Sequence, residues 1–287
     1  MPVHTPYDGS SKPFTIGLLP LDLKEWIEPD RHFDAYRAEK LRLYRDIPDK
    51  VFVEEFATRA AQQEVLDLLA AHPGIAENRQ SDILPPNLAE APLAVASLMV
   101  QEDLILMRRG ENGWRLAAGS LCFPSSWSLT EKFGRPLHEI HQPVPGFGQG
   151  TRMDELIARM FDRLHQPVLR WNWSLQAGDA LYHPLSGRQR IQRAAERPDL
   201  FAGDNFAAAF IRVERQTLRK LPASGDILFT IRIYLDPLDL LARHPDRQNI
   251  ASGFAAQLTA LDIAQLDYKG LTADRDRLVM HLAGLAA

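Results

Sequence analysis

The stretch Val168–Leu175, VLRWNWSL, alternates without a break. Leu169, Trp171, Trp173 and Leu175 point one way, and Arg170, Asn172 and Ser174 point the other. A period of two is that of an extended strand, whose successive side chains leave opposite faces of a sheet. Two further segments of the same kind lie downstream, Ala208–Val213 and Ile227–Leu235, the second with Ile227, Phe229, Ile231 and Ile233 on one face. Upstream, Leu93–Val100 and Asp103–Arg108 are short apolar runs that read as strands. Gly110-Glu111-Asn112-Gly113 is a hairpin signal, and Trp114–Cys122 continues as the next strand.

Around this β region the period changes to that of helices. Ala57–Ala71 carries Val65, Leu66, Leu68 and Leu69 as an apolar stripe, ended by His72-Pro73-Gly74. Ser128-Leu129-Thr130-Glu131 matches a capping box at the start of a short helix. Thr151-Arg152-Met153-Asp154 opens another, with Leu156, Ile157, Met160, Phe161 and Leu164 on one face. From Pro237 onward the pattern is helical through Leu238–Ala242, Ile250–Leu261 and Arg275–Leu285. Residues 1–50 hold two short amphipathic stretches, around Leu21–Ile27 and Tyr36–Tyr44, and Ser81–Pro92 reads as a loop. The whole predicts an α+β fold, an antiparallel sheet packed on one side by helices. No GxGxxG or P-loop occurs, and the strand–helix alternation of a doubly wound parallel sheet is missing.

With 287 residues, 45% hydrophobic and 24% charged, the chain has the balance of a globular protein of one large domain or two small ones. A formal net charge of -4 offers no electrostatic footprint for nucleic acid or an anionic membrane. The N-terminal MPVHTPYDGS lacks the layout of a signal peptide, and no stretch approaches the ~18 apolar residues of a membrane span, so a soluble, cytoplasmic protein is expected. Cys122 is the only cysteine. That excludes an internal disulfide framework, a four-cysteine zinc site and an iron–sulfur cluster held by this chain alone.

The chemistry concentrates in Cys122–Phe147, CFPSSWSLTEKFGRPLHEIHQPVPGF. His138 and His141 stand three apart and share a face if that turn is helical, and Pro143 and Pro145 stiffen the chain just beyond them. A rigidly held neutral imidazole suits an axial iron ligand, although both histidines equally suit a surface loop. Cys122, between Leu121 and Phe123, reads as an inert buried thiol in preference to a thiolate ligand or a nucleophile. In Arg212-Val213-Glu214-Arg215-Gln216, Arg212, Glu214 and Gln216 share one face, and Arg215 lies on the other with Ile211 and Val213. Such charges are solvated, paired or turned to an anion, and the same holds for Arg170. The four arginines of Arg188–Arg197 read as a solvated helix face.

Taken together, the Cys122–Phe147 block, RWNW at Arg170–Trp173 and RVERQTLRKLPASGDILFTIRIY at Arg212–Tyr234 resemble the haem-dependent oxidative N-demethylase alpha-subunit family, over about Phe14 to Leu241. The resemblance implies a single PAS-like haem-binding domain over 1–287, with helical extensions at 1–90 and 237–287 and helices inserted in an antiparallel core. It also implies haem b, with His141 as the proximal ligand because Ile140-His141-Gln142-Pro143-Val144-Pro145 occupies the family's histidine block. His138 has no such place. The implied reaction is O2-dependent demethylation of a small secondary amine such as dimethylamine, releasing formaldehyde. The resemblance further implies electrons from NADPH through FMN and 2Fe-2S centres on reductase subunits, with tetrahydrofolate on a folate-binding subunit. From alternation and charge, Glu214 and Tyr234 are expected to face the amine, and Arg170 and Arg215 the haem propionates. With no CxxCH motif, the haem is expected to be non-covalent. Two rival readings are a PAS-like haem sensor and a haem-free small-molecule-binding protein.

Overall fold

Strands β6 (Ala209–Lys220) and β7 (Ile227–Pro237) pair along nearly their full length, from Phe210 opposite Pro237 to Lys220 opposite Ile227. They form the middle of the sheet in a computed structural model of the chain, which describes residues 1–75, 84–201 and 206–287. Beside β6 runs β5 (Val168–Ala177), and beside β7 runs the hairpin of β3 (Asp103–Gly110) and β4 (Gly113–Ser120). Two short pieces, β1 (Leu19–Pro20) and β2 (Phe52–Glu54), cap the edges at β5 and β4. All pairings are antiparallel, in the order β1-β5-β6-β7-β3-β4-β2. The β3–β4 turn closes on Gly113 at φ 90°, a conformation only glycine adopts without strain.

Helices flank these strands in sequence. Before β3 come α1 (Phe33–Asp46), α2 (Pro48–Val51), α3 (Arg59–Ala70), α4 (Pro86–Ala89) and α5 (Pro92–Ser97). Between β4 and β5 lie α6 (Leu129–Lys132), α7 (Leu137–His141) and α8 (Arg152–Asp162), and α9 (Gly187–Glu196) comes after β5. The chain ends in α10 (Arg247–Ala260), α11 (Ile263–Lys269) and α12 (Arg275–Ala286). The fold class is α+β.

The sheet is covered on both faces, not on one. On the first face Ile105, Met107, Val168, Leu218, Ile227 and Ile231 pack with Ile157 and Phe161 of α8 and Leu43 and Tyr44 of α1. The second face is covered in two patches. Trp173, Leu175, Ile211 and Val213 lie under α10 and α12, and Leu104, Leu106 and Leu228 under α3 and α5. Alternating strands buried on both faces need an apolar set each way, and the second set here is Leu169, Trp173, Ile211, Val213 and Leu228.

Three local expectations change. Leu93–Val100 is not a strand. Pro92 takes the first position of a helix, and Leu93, Ala94 and Ala96 are buried, so the run is apolar because α5 is enclosed. The capping box at Ser128 does not form. Ser128 Oγ meets Thr130 Oγ1 at 3.0 Å, and Glu131 instead accepts from the Gly187 N–H (3.0 Å) at the start of α9, where the helix dipole favours a carboxylate. Of the expected loop Ser81–Pro92, residues 81–83 lie outside the described residues and Pro86–Ala89 is a helical turn. Among the described residues no helix is long and apolar enough to cross a membrane.

Candidate functional site

The first face of the sheet floors a cavity roofed by α6, α7 and α8 and closed at its sides by residues 14–18, α9 and α11. It offers about 240 Å³ to the centres of water molecules. One water needs only about 10–15 Å³ by that measure, so the cavity has room for a ligand much larger than a water. The floor is apolar where β3, β4 and β7 supply it (Ile105, Met107, Leu116, Phe229, Ile231) and polar where β5 and β6 do (Arg170, Asn172, Ser174, Glu214, Gln216).

His141 ends α7, a single turn entered from Pro136, and its ring faces the cavity. The Leu137 backbone, one turn back on the same helix, lies close to the ring. Burial, with Lys132 and Arg170 adding like charge, pulls its pKa down to about 4. At neutral pH it is therefore an uncharged imidazole with a lone pair to give. His138, three residues earlier, is turned outward into a shallow groove with Arg135, Glu139 and Gln149.

Glu214 lies on the cavity floor with its carboxylate half committed. Oε2 accepts from Gln216 Nε2 (2.7 Å) and Asn172 Nδ2 (3.3 Å), while Oε1 faces Arg212 Nε at 3.8 Å, outside hydrogen-bond range. Arg212 itself is fully buried and donates to the carbonyls of Phe123 and Leu181. Arg170 donates once, to the Thr15 carbonyl (3.2 Å), and Arg193 of α9 once, to the Tyr268 carbonyl (2.9 Å). In both, the Nε–H is buried without a partner. Neither guanidinium faces a carboxylate, so each has donors left for a ligand acceptor.

Of the residues expected at the site, His141, Arg170 and Glu214 meet around this cavity. Arg215 and Tyr234 do not. Both lie on the opposite face, where Glu28 takes Arg215 Nε at 2.9 Å and the Tyr234 hydroxyl as well. The reason is parity. Glu214 and Ile233 are paired across β6 and β7 and share the cavity face, so Arg215 and Tyr234, one residue on in each strand, must face away. Cys122 is fully buried, is absent from the cavity lining, and burial pushes its thiol pKa up.

Sequence reasoning missed Lys132, His183, Arg193, Tyr268 and Lys269, which also line the cavity. Arg193 belongs to the run read as a solvated face, and only the packing of α9 against α11 turns it inward. Among the described residues no group of three or more His, Cys, Asp or Glu is placed to hold a bare metal ion. A metal carried in a macrocycle needs far less from the protein, an axial ligand and partners for the ring's own charges.

Fold and site together define an α+β protein with a deep cavity lined by a neutral histidine and by two guanidinium groups that have no carboxylate partner. The chain belongs to the haem-dependent oxidative N-demethylase, alpha subunit-like family, whose model matches residues 74–279. The matched span holds His141, Arg170, Arg193, Glu214, Lys132 and Lys269.

Proposed function

We propose that this chain is the haem-bearing subunit of an oxidative N-demethylase and that its cavity would hold non-covalent haem b through His141. The single observation that carries the reading is that a neutral imidazole, His141, and two guanidinium side chains with no carboxylate partner, Arg170 and Arg193, line the same cavity. The second propionate partner is thus Arg193 in place of Arg215. A PAS-like core is supported by the order of the five long strands, second-first-fifth-fourth-third, and one domain over 1–287 by Phe14 packing into two of the core clusters.

When bound, haem supplies the oxygen chemistry that oxidises the N-methyl group and releases it as formaldehyde. The chain's own residues do the rest. His141, uncharged at neutral pH, would offer a ring nitrogen to the iron. Arg170 and Arg193 meet the propionates in charge-assisted hydrogen bonds. Glu214 receives the protonated amine on Oε1, and Asn172 and Gln216 hold its other oxygen in place. The apolar wall of Met107, Leu116, Phe161 and Phe229 excludes water. The family's description as an alpha subunit supports an assembly in which NADPH, FMN, 2Fe-2S and tetrahydrofolate are handled by reductase and folate-binding partner subunits. The one cysteine of this chain is buried and provides no cluster.

The test is expression with adequate haem supply, then chemical reduction in air with a secondary amine. A Soret band and amine-dependent formaldehyde are expected. Glu214→Gln should retain the band and weaken amine binding by about 1.5–3 kcal/mol, the scale of a hydrogen bond to a charged group. A protein that takes up no haem overturns the reading. A Soret band that no amine shifts favours a sensor.

A further inference from the structure

We propose that the amine taken by this site carries a carboxylate of its own, so that the substrate class is a short N-methyl amino acid and not a simple dialkylamine. The inference rests on the haem demethylase reading and refines its substrate.

It comes from the charges of the cavity. Four cations line it, Lys132, Arg170, Arg193 and Lys269, against one carboxylate, Glu214. Among the described residues none of the four makes an ion pair. Arg170 and Arg193 each have one backbone carbonyl. The Lys269 ammonium sits 4.2 Å above the Trp173 ring centroid and donates to the Trp173 carbonyl. The Lys132 ammonium lies 4.4 Å above the Trp127 ring centroid. Among the described residues it makes no hydrogen bond or ion pair. Burial pulls the Lys132 pKa down to about 7, with Arg190 adding to it, and that of Lys269 to about 8; the charge of Glu214 opposes the shift in both but does not outweigh burial.

Fully protonated, these five groups would leave a surplus of three positive charges, which is costly; a ligand that brings anions relieves it and keeps the two lysines charged. Two haem propionates would remove two, and the guanidinium groups of Arg170 and Arg193, neither with a carboxylate partner, suit them. At least one positive charge is left, and a ferric haem core adds another. A dialkylammonium ion enlarges that surplus. A zwitterion leaves it unchanged in sum while setting its ammonium against Glu214 Oε1 and its carboxylate against a free cation. Lys132 is that cation. It lies within electrostatic reach of Glu214 and holds no acceptor. It would be a specificity residue, since the charge that welcomes a carboxylate repels a plain ammonium.

The experiment titrates the haem-loaded full chain with sarcosine and with dimethylamine, reading the ferric Soret shift and the heat of binding. Sarcosine should bind at least ten-fold more tightly. Lys132→Met should shrink the ratio of the two affinities by ten-fold or more, and Lys132→Arg should preserve it. Taking the ratio cancels any general loss of binding capacity. If Lys132→Met does not fold, the wild-type ratio and the Lys132→Arg variant decide. A wild-type ratio near one, or favouring dimethylamine, overturns this inference and leaves the demethylase reading standing. An unchanged ratio in Lys132→Met overturns the role of Lys132. Absence of a Soret band, or of any response to either amine, overturns both.

Discussion

Arg215 and Glu28 form an ion pair, Nε to Oε1 at 2.9 Å, on the face of the sheet turned away from the cavity. Arg215 is 1% exposed and also donates to the carbonyls of Glu25 and Trp26, while Glu28 takes the Tyr234 hydroxyl and His4 Nε2 (2.9 Å). Burial raises the Glu28 carboxyl, but the hydrogen bonds from His4 and Tyr234 and the charge of Arg215 outweigh it, and its pKa is lowered overall. This cluster ties residues 25–28 to β6 and β7. Arg215→Met should therefore lower stability by about 3 kcal/mol, the cost of breaking a largely buried pair, and leave the haem content of the folded protein unchanged. Urea midpoints and the haem-to-protein ratio check it. Loss of haem without loss of stability would return Arg215 to the site.

His141 and His138 separate cleanly by orientation. His141→Ala should abolish the Soret band or reduce haem retention strongly, with added imidazole restoring the spectrum by filling the vacated position. His138→Ala, in its outward groove, should leave both unchanged. A ferrous carbonyl spectrum with the red-shifted band of a thiolate ligand would instead implicate Cys122.

Lys269 makes the haem-free protein's stability pH-dependent in a definite direction. Its ammonium is buried, and the folded-state pKa is down at about 8, against 10.5 for a free lysine. Below pH 8 both folded and unfolded chains are charged there, and the burial penalty is constant. Between about pH 8 and 10.5 the folded chain has lost a proton that the unfolded chain still binds, so stability rises with pH, by on the order of 3 kcal/mol at the limit. Lys269→Met should flatten this rise. Urea midpoints at pH 7.5 and 10 for both proteins measure it, and parallel changes in the two would refute it.

Gly253 in α10 is a position where the usual helix rule reverses. Alanine is normally better than glycine in a helix by about 1 kcal/mol. Here a Cβ on Gly253 would stand 2.0 Å from the Asp8 carbonyl oxygen. The N-terminal segment is seated there: Tyr7 packs on Phe254 with ring centroids 4.7 Å apart, and Gln257 donates to the carbonyls of Pro6 (3.2 Å) and Ser11 (2.8 Å). Gly253→Ala should lower the urea midpoint, by about 1–3 kcal/mol of overpacking, and expose residues 5–11 to proteolysis. A raised midpoint would show that this contact is not made.

The strands were legible in the chain because alternation is local. Leu169 to Leu175 and Ile227 to Ile233 state their two faces without reference to any neighbour, and the same parity already set Glu214 apart from Arg215. His141 was legible as a motif position. What alternation does not carry is which face of β7 meets which face of β6, because that depends on register across six intervening residues. The pairing of Glu214 with Ile233 puts Tyr234 with Glu28, remote from the cavity. An apolar run such as Leu93–Val100 has no period to read, since an enclosed helix and a buried strand expose nothing polar, and only the packing of α5 with α3 decided it. Lys132, Arg193 and Lys269 had no signal at all. A lysine or arginine at a helix end looks solvated by itself, and the charge of this cavity exists only because α6, α9 and α11, from three distant parts of the sequence, close over one sheet face.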